Sequence, residues 1–461
     1  MDFNKKVLLS KANTASFRDP NGFIFQQDGD IFRYISPLYK EKYFSFTESG
    51  FYEKLFQKNY LIHHELLTSD FADGSLIIKP KKIPFISYPY EWSFSQLKDA
   101  ALLTLNIFRT ALEHNLILKD ASAYNIQFLE GRPIFIDTLS FDNYIIGQPW
   151  IAYKQFCQHF IFPLAAASYI DIRMVQLLKV FIDGIPIEMA KNFLPFKAFL
   201  RFGVELHLIL HSLFLQKANR KKIRQNQNRK MLKNSLFGLI DSLENTVINL
   251  KTNKQPTTWE KYYEEHHTDE YRTAKKELVI EYLQGVGGNN IWDLGSNDGF
   301  FSRIAASLNK DVISFDSDPN CVENNYLRVK KNSEKNILPL LMDFTNPSSS
   351  IGWANSERRS LSERGPVDTI LALALIHHLA IANNIPLEMI SNFFGSNCKW
   401  LIIEFVPKSD PKVKELLRFR EDIFPNYDIN NFEKIFIMNF EIIKKNNIGN
   451  TDRILYFLKK R

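Results

Sequence analysis

The sequence predicts an α/β protein whose C-terminal half is built on a doubly wound, mainly parallel β-sheet. From residue 259 onward, short apolar segments alternate with segments of helical periodicity, which is the order of repeated βαβ units. The segment Val367–Ala374 is almost wholly apolar, as a strand with both faces buried should be. Two final strand-like segments flank the polar turn Asn446–Asn450, which predicts an antiparallel hairpin at one edge.

The individual elements follow from residue spacing, taken in chain order. Apolar and aromatic residues recur at helical intervals in segments 259–284, 300–308 and 322–331. The predicted strands are short apolar runs between and after these helices: Ile291–Leu294, Val312–Phe315, Ile337–Met342, Val367–Ala374, Trp400–Val406, Phe440–Lys445 and Arg453–Leu458. In such a sheet, ligands bind at the carboxyl ends of the strands where the strand order reverses. The residues that end strands are therefore the informative ones.

Length and composition bound the class of protein. A chain of 461 residues has room for about two or three domains. Hydrophobic residues at 45% and charged residues at 24% exclude a wholly disordered or collagen-like chain. No apolar run reaches the ~18 residues that span a bilayer, and residues 1–10 lack the pattern of a signal peptide. The three cysteines are far apart and form neither a disulfide framework nor a zinc pattern, so we expect a cytoplasmic protein.

The composition changes twice and predicts three parts, 1–215, a basic linker 216–256, and 257–461. Much of the net charge of +7 lies between Lys217 and Lys233, where eight basic residues occur without an acid. This segment is either an anion-binding patch or a solvated linker, and the linker is the better interpretation. No aromatic residue interleaves with these cations, so we do not expect a nucleic-acid partner.

The first predicted strand of the C-terminal part runs into a glycine-containing loop, DLGSNDG at 293–299. Asp293 and Asp298 flank this loop, and their charges would repel a pyrophosphate. A cationic ligand with an amino-acid head group suits the loop better, and S-adenosylmethionine is such a ligand. Gly295 would let the backbone approach the ligand, and Gly299 would permit the turn into the next helix.

The next two strands also end in acids. Asp316 follows the second strand and is placed to accept hydrogen bonds from ribose hydroxyls. Asp318-Pro319 is better interpreted as the cap of the next helix. Asp343 follows the third strand and is placed to accept from an adenine amino group, with Phe344 beside the ring.

Taken together, residues 259–461 resemble the class I S-adenosylmethionine-dependent methyltransferases. The loop 293–299, Asp316 and Asp343 carry the resemblance, while Ser296-Asn297 stands where that family often has further glycines. The resemblance implies a Rossmann-like, seven-stranded sheet, S-adenosylmethionine as cofactor, and methyl transfer to an acceptor. The cofactor-binding residues that it implies are Asp293, Gly295, Asn297, Gly299, Asp316, Asp343 and Phe344.

Candidate catalytic residues follow the fourth and fifth strands, at the face where a methyl group would point. His377 and His378 could each take a proton from a hydroxyl or amine acceptor, or could simply pack or cap a helix. Glu404 could bind a cationic or polyhydroxyl acceptor. We predict no metal site.

Two other features could face the acceptor. The insert Asn346–Pro366 has the length of a lid or substrate loop, or is a solvated loop. Within it, Arg358, Arg359 and Arg364 could bind an anionic acceptor. Trp259, Tyr262 and Tyr263 could cover the cofactor or the acceptor.

In the N-terminal part, Asp120, Asn125 and Asp137 are spaced like the catalytic loop and metal-binding aspartate of kinase-like phosphotransferases. This resemblance implies an α+β kinase-like domain that could use ATP and magnesium. Segment 85–92 resembles the strand and hinge that hold adenine. Residues 17–60 contain no glycine-rich phosphate loop, and no strand lysine can be assigned, since Lys79 is too close to the hinge. Both an active small-molecule or glycan kinase and a pseudokinase stay open.

The whole chain also resembles bacterial nodulation-associated methyltransferase-like proteins. The N-terminal segments PFISYPYEWSFSQLKDAALLTL and LKDASAYN with FIDTLSF carry that resemblance. The leading hypothesis is a methyltransferase acting on a glycan or small molecule. The alternatives are a bifunctional methyltransferase and kinase-like phosphotransferase, and a nucleic-acid-binding scaffold.

Overall fold

The computed structural model describes residues 12–68, 74–210, 232–252, 269–418 and 420–461. The chain divides into two compact units, which we call the N-terminal unit (Met1–Lys254 with Ser350–Arg358) and the C-terminal unit (Gln255–Ser349 with Arg359–Arg461). Some sequence predictions lie outside the described residues: the basic segment up to residue 231, and Trp259, Tyr262 and Tyr263.

The N-terminal unit begins with a four-stranded antiparallel sheet in the order β1-β2-β4-β3, and two helices lie between its second and third strands in sequence. This part comprises β1 (Gly22–Gln27), β2 (Asp30–Ile35), α1 (Pro37–Glu48), α2 (Phe51–Gln57), β3 (His64–Thr68) and β4 (Leu76–Pro80). Ring contacts fill the sheet core, with Phe25 and Phe32 stacked at 5.4 Å.

The rest of the N-terminal unit is mainly helical. Its longest helix starts at a capping box, in which the Ser93 and Gln96 side chains each accept from the other's backbone N–H. Two small antiparallel pairs, β5 with β8 and β6 with β7, follow this helix. The elements are α3 (Phe94–Glu113), β5 (Leu116–Leu118), β6 (Ile126–Leu129), β7 (Arg132–Phe135), β8 (Phe141–Asn143), α4 (Tyr153–Phe156), α5 (Phe162–Tyr169), α6 (Ala190–Phe193), α7 (Phe196–Phe199), α8 (Phe202–Val204) and α9 (Lys233–Asn249), with 3-10 turns at Thr14–Ser16, Pro89–Glu91, Ala123–Asn125, Ile172–Lys179 and Ile187–Met189 and π turns at Cys157–Ile161 and Glu205–Leu210.

The C-terminal unit is built on a seven-stranded sheet in the order β11-β10-β9-β12-β13-β15-β14. Its elements are α10 (Asp269–Gln284), β9 (Asn290–Leu294), α11 (Phe300–Ser307), β10 (Asp311–Asp316), α12 (Pro319–Asn332), β11 (Ile337–Leu341), β12 (Val367–Ala372), α13 (Leu387–Asn397), β13 (Cys398–Phe405), α14 (Pro411–Leu417), α15 (Ile429–Phe436), β14 (Phe440–Asn447) and β15 (Ile454–Lys460). Strands β9 to β13 pair in parallel, and β15 runs antiparallel to both of its neighbours. The predicted mainly parallel sheet with an antiparallel edge is therefore confirmed.

The strand order reverses at β9, since β10 and β11 extend to one side of it and β12 to the other. A crevice outside the carboxyl ends of β9, β10 and β12 is the place where this class of sheet binds ligands. The predicted cap at Asp318 is also confirmed, because its Oδ1 accepts the N–H groups of Asn320 and Cys321 at the start of α12.

Among the predicted boundaries that differ from the structure, two have a clear physical reason. The fourth strand ends at Ala372, because Ala374 adopts a left-handed φ of 51° that an extended strand does not allow. The hairpin strands are longer than predicted, since the polar residues of β14 keep pairing as far as Asn447 opposite Ile454. The polar side chains stay solvated there while the backbone satisfies its hydrogen bonds. In the part of the chain that the structure describes, no helix is both long and apolar enough to cross a membrane.

Candidate functional site

The loop between β9 and α11 depends on glycines at both ends. Gly295 has φ of +73° and Gly299 has φ of +79°, a region that side chains with a Cβ seldom adopt. A Cβ at 299 would also lie 2.6 Å from the amide of Asn325. Gly299 is thus required by both backbone and packing, and it makes the predicted turn into α11.

Asp316, the last residue of β10, ties two loops together. Its Oδ2 accepts the N–H of Asn297 at 2.7 Å, and its Oδ1 accepts the N–H of Asp318 at 2.8 Å. Burial raises the pKa of this carboxyl to about 6, although the backbone donors lower it. Each carboxylate oxygen can accept a further hydrogen bond, so a ligand donor could still reach it.

Asp293 lies inside the sheet, in β9, and is almost fully buried. Its Oδ2 accepts from Ser302 Oγ at 2.6 Å, and Ser302 also bonds to Ser314 Oγ at 2.8 Å. Burial raises the pKa of Asp293 to about 6, against the lowering effects of Ser302 and of the Lys275 charge. Asp293 therefore fixes α11 onto the sheet beneath the loop.

Several buried polar atoms around these strand ends have no hydrogen-bond partner within the described ranges: Ser296 Oγ, Asp298 Oδ1, Asp318 Oδ2 and Asn325 Oδ1. Buried polar atoms are usually satisfied, so a cluster of them indicates a place where a ligand or water completes the bonding. All four atoms are oxygens that can accept a hydrogen bond. They therefore suit a ligand that carries hydroxyls, an ammonium or an amino group.

Asp343 and Phe344 follow β11. Asp343 is exposed, and its Oδ1 accepts from both the N–H and the hydroxyl of Thr345, at 2.8 Å and 2.7 Å. The Phe344 ring meets Phe315 edge-on, with centroids 5.7 Å apart. Together they present an apolar ring beside a carboxylate at the end of β11.

The two histidines after β12 lie next to each other, with ring centroids 4.1 Å apart. His377 is fully buried, and neither of its ring nitrogens has a partner among the residues that the structure describes. Burial, then the neighbouring His378 ring and the charge of Arg453, hold the pKa of His377 well below the ordinary value. His378 is only partly buried, and burial with the charges of Lys412 and Arg453 lowers its pKa to about 4. Both rings are therefore neutral at pH 7.

Glu404, in β13, is fully buried and engaged by three side chains. Lys275 Nζ lies 2.5 Å from Oε2, while Arg453 Nη1 and Tyr271 OH lie 3.0 Å and 2.7 Å from Oε1. Burial would raise the pKa of Glu404, but the charges of Lys275 and Arg453 outweigh it and lower the pKa to about 2. Its oxygens are thus occupied by the chain itself, and this differs from the acceptor-binding role that its position in the sequence suggested.

The residues around Glu404 were missed by sequence reasoning. Lys275 and Tyr271 lie on α10, Arg453 lies at the start of β15, and Arg453 also pairs with Asp410 at 2.7 Å. They are separated from Glu404 by 49 to 133 positions, so no spacing pattern could reveal them. Lys275 is followed by Lys276 and Glu277 in the sequence, so its local context did not mark it as a buried residue.

The central part of the predicted insert, residues 350–358, belongs to the N-terminal unit. Glu357 is almost fully buried and accepts from Arg18 through Nε at 2.5 Å and Nη2 at 3.1 Å. The Arg358 guanidinium lies over the Tyr124 ring, 4.4 Å from its centroid. Arg359 and Arg364 stay in the C-terminal unit. Anion binding by these three arginines stays a prediction.

In the N-terminal unit, Asp137 follows β7 and forms an ion pair with Arg33 of β2. Ser140 donates its hydroxyl to the other oxygen, and the N–H of Leu139 lies 3.3 Å from the first. Burial raises the pKa of Asp137, but Arg33 and these donors bring it below its ordinary value. Sequence reasoning missed Arg33, which lies 104 positions from its partner.

Asp120 and Asn125 lie in the loop before β6. Asp120 Oδ1 accepts from the N–H of Ser122 and from Gln155 Nε2, both at 2.9 Å. Burial, and then the charge of Asp137, raise the pKa of Asp120, so these two carboxylates face the same space. The described residues contain no cluster of three or more His, Cys, Asp or Glu side chains that could hold a metal ion.

Comparison with known proteins gives one extensive relative. No model of a known protein family matches the chain. The nodulation protein NoeA of Rhizobium meliloti (strain 1021) is 32% identical over 459 residues, which covers 96% of this chain and 95% of NoeA.

Three similar solved structures each cover less than half of the chain. The N-methyltransferase NodS from Bradyrhizobium japonicum WM9 is 10% identical, with 42% of this chain and 97% of NodS covered and a TM-score of 0.32. A SAM-dependent methyltransferase from Aquifex aeolicus is 13% identical, with 45% and 100% covered and a TM-score of 0.30. The bifunctional kinase-methyltransferase WbdD is 13% identical, with 42% and 40% covered and a TM-score of 0.30.

We expect Lys275→Met to lower the free energy of unfolding of the C-terminal unit by about 3–5 kcal/mol, because Glu404 would keep a buried charge without its nearest cation. The matched control is Lys444→Met, which removes an exposed ion pair with Glu281 and should change stability by less than about 1 kcal/mol. Urea unfolding followed by hydrogen exchange of β13 and β15 measures both. Equal effects of the two substitutions would contradict the buried cluster.

Proposed function

The chain belongs to the family of the nodulation protein NoeA, and we propose that its C-terminal unit is an S-adenosylmethionine-dependent methyltransferase. One observation carries the proposal: Asp293, Asp316 and Asp343 lie at or just beyond the carboxyl ends of β9, β10 and β11, around a loop with two left-handed glycines, where the strand order reverses. The acceptor that we propose is a hydroxyl or amine of a glycan or small molecule.

The residues present fit the cofactor. Asp316 has free acceptor capacity for ribose hydroxyls, and Asp343 with the Phe344 ring offers an acceptor and an apolar surface for adenine. Ser296 Oγ and Asp298 Oδ1 are buried and lack partners within the described part of the chain, so the methionine end could complete their bonding. When bound, the cofactor supplies a methyl group activated by a sulfonium.

The electrostatic field of the carboxylates around the glycine loop supports a cationic ligand. Asp293, Asp298 and Asp316 surround the loop, whereas a diphosphate needs bare amides without adjacent carboxylates. The Lys275 charge lies close enough to lower the pKa of Asp293, but Lys275 is itself paired with Glu404. Asp298 is also paired, with Arg328 at 2.9 Å. Asp316 has no ion-pair partner among the described residues, so its carboxylate is the group that favours a cationic ligand.

The chain's own residues would position the acceptor and accept its proton. His378 is partly exposed and neutral at pH 7, and we assign to its imidazole the acceptance of the hydroxyl or amine proton. His377 lies behind it, fully buried, and limits the positions of the His378 ring. We assign Glu404 to the support of the site, since it joins α10 to β13 and β15 through Lys275 and Arg453.

A second proposal concerns the N-terminal unit. In kinase-like phosphotransferases an aspartate equivalent to Asp137 holds magnesium. Here Arg33, which cannot lose its charge, already neutralises that carboxylate and would repel a divalent cation. We therefore propose that this unit is a pseudokinase that binds a nucleotide without magnesium, rather than an active phosphotransferase.

For the methyltransferase proposal, Asp316→Ala should weaken binding of S-adenosylhomocysteine by about 100-fold, because it removes a charged ribose acceptor and frees the N–H groups of Asn297 and Asp318. Asp311→Ala, at the exposed amino end of the same strand, should leave the affinity unchanged. Isothermal titration calorimetry measures both. Lack of any affinity of the unaltered protein for S-adenosylmethionine and S-adenosylhomocysteine would refute the proposal.

We expect S-adenosylhomocysteine affinity to fall by about tenfold between pH 7 and pH 5, because Asp316, with a pKa of about 6, is ionised at the higher pH and mostly protonated at the lower. The sign follows from the ligand's donors, which favour the charged carboxylate. Asp316→Asn should give a shallower pH profile in the same titration. A profile that rises toward pH 5 would contradict this role.

For the pseudokinase proposal, the affinity of the unaltered protein for ATP should be the same with magnesium and with EDTA. Arg33→Ala should make binding magnesium-dependent, since Asp137 would lose its cation. Lys79→Ala, which breaks only a part-exposed pair with Asp30, is the control and should change nothing. Magnesium-dependent ATP binding by the unaltered protein that Asp137→Ala abolishes would instead establish the bifunctional alternative.

A further inference from the structure

The segment from Lys191 to Phe202 in the N-terminal unit exposes apolar side chains beside basic ones. It covers the short helices α6 and α7 and the start of α8. Four of its apolar side chains are exposed: Phe193 at 38%, Phe196 at 75%, Leu200 at 72% and Phe202 at 74%. These four residues, with the cations Lys191, Lys197 and Arg201 of the same segment, are called the 193–202 surface.

The exposure of these side chains is not a sign of loose packing. Leu194 and Ala198 of the segment, and Val204 just after it, are buried, so the segment is anchored on its inner side. Single exposed hydrophobic residues are common, but four within ten positions are a concentration of exposed apolar side chains that favours contact with a partner.

The charge of the segment is of one sign. No acid occurs between Glu188 and Glu205, while three basic residues do. Within the described part of the chain, Lys191, Lys197 and Arg201 form no ion pair, and all three side chains are exposed. Their charges are therefore available to an anionic partner.

We propose that the 193–202 surface binds the surface of an anionic lipid bilayer. Exposed phenylalanine and leucine side chains insert at the boundary between head groups and acyl chains, while adjacent lysine and arginine side chains pair with anionic head groups. No covalent step is involved, and the unit would lie on the bilayer without crossing it.

The chemistry of the exposed side chains favours lipid over nucleic acid. Phenylalanine and leucine offer no hydrogen-bonding group to a base edge, and Leu200 has no ring on which a base could stack. Hydrocarbon, by contrast, accepts all four apolar side chains equally. The cations of residues 217–231 lie outside the described residues.

The test is co-sedimentation of the full chain with vesicles of phosphatidylcholine, alone or mixed with phosphatidylglycerol. The unaltered protein should sediment with the mixed vesicles. The double variant Phe196→Ser with Phe202→Ser should lose about tenfold or more in partitioning, because it removes two exposed aromatic side chains that would insert into the bilayer. Lys197→Glu with Arg201→Glu should abolish the preference for phosphatidylglycerol.

Leu38→Ser is the matched control and should partition like the unaltered protein. Leu38 is 83% exposed in the same unit, but among the described residues 28–48 no other large apolar side chain is exposed. The double serine variant and the double glutamate variant change only exposed residues. Their melting temperatures and affinities for S-adenosylhomocysteine should therefore equal those of the unaltered protein.

Three results would overturn the proposal. The first is an unaltered protein that does not bind mixed vesicles. The second is binding that Phe196→Ser with Phe202→Ser leaves intact and that salt abolishes, which would assign it to the basic segment instead. The third is binding of single-stranded RNA, weakened by the same substitutions, in a protein that ignores vesicles.

Discussion

The candidate site of the C-terminal unit depends on one buried carboxylate. Asp316 ends β10 and accepts backbone N–H groups from two different loops, at Asn297 and at Asp318. A single side chain thereby fixes the glycine loop after β9 relative to the turn that starts α12. Because a carboxylate can accept more bonds than these two, the same group can hold the loops and still face a ligand. The pKa of Asp316 is raised because the carboxylate makes these bonds in a buried position, away from water.

A second ionic cluster supports the sheet next to this site. Glu404 joins Lys275, Tyr271 and Arg453, and Arg453 extends the cluster to Asp410. The two acids and two bases balance in charge, so the interior carries no net charge there. Such a cluster contributes little net stability over apolar packing but is costly to break. The cluster fixes the positions of α10, β13 and β15 relative to one another, next to the histidines that follow β12.

In the N-terminal unit, a largely buried carboxylate is paired with a cation of the chain itself. Its Asp137 is neutralised by Arg33 rather than left available for a cation. The unit also includes residues 350–358, although these lie in sequence between two strands of the other unit's sheet. Arg18 with Glu357, and Tyr124 with Arg358, hold that segment by charge and by cation–π contact. An insertion that would otherwise be a solvated loop is thereby an integral part of a different unit.

The sequence by itself determined the features that depend on near neighbours. Strand periodicity predicted the seven strands, the acids at strand ends marked Asp316 and Asp343, and the Asp318-Pro319 pair predicted a helix cap. These patterns act over a few residues, within which chain connectivity fixes which groups meet.

Only the tertiary structure decided the partners that occupy those groups. Glu404 could be interpreted as an acceptor-binding acid until Lys275 and Arg453, 129 and 49 positions away, were found beside it. The sequence likewise did not predict the contacts of Arg33 and of residues 350–358. These contacts join residues that are far apart in the chain, so they leave no local spacing pattern. The physical reason is that desolvation and charge pairing depend on distance in space, and a chain of this length brings together residues that its sequence keeps far apart.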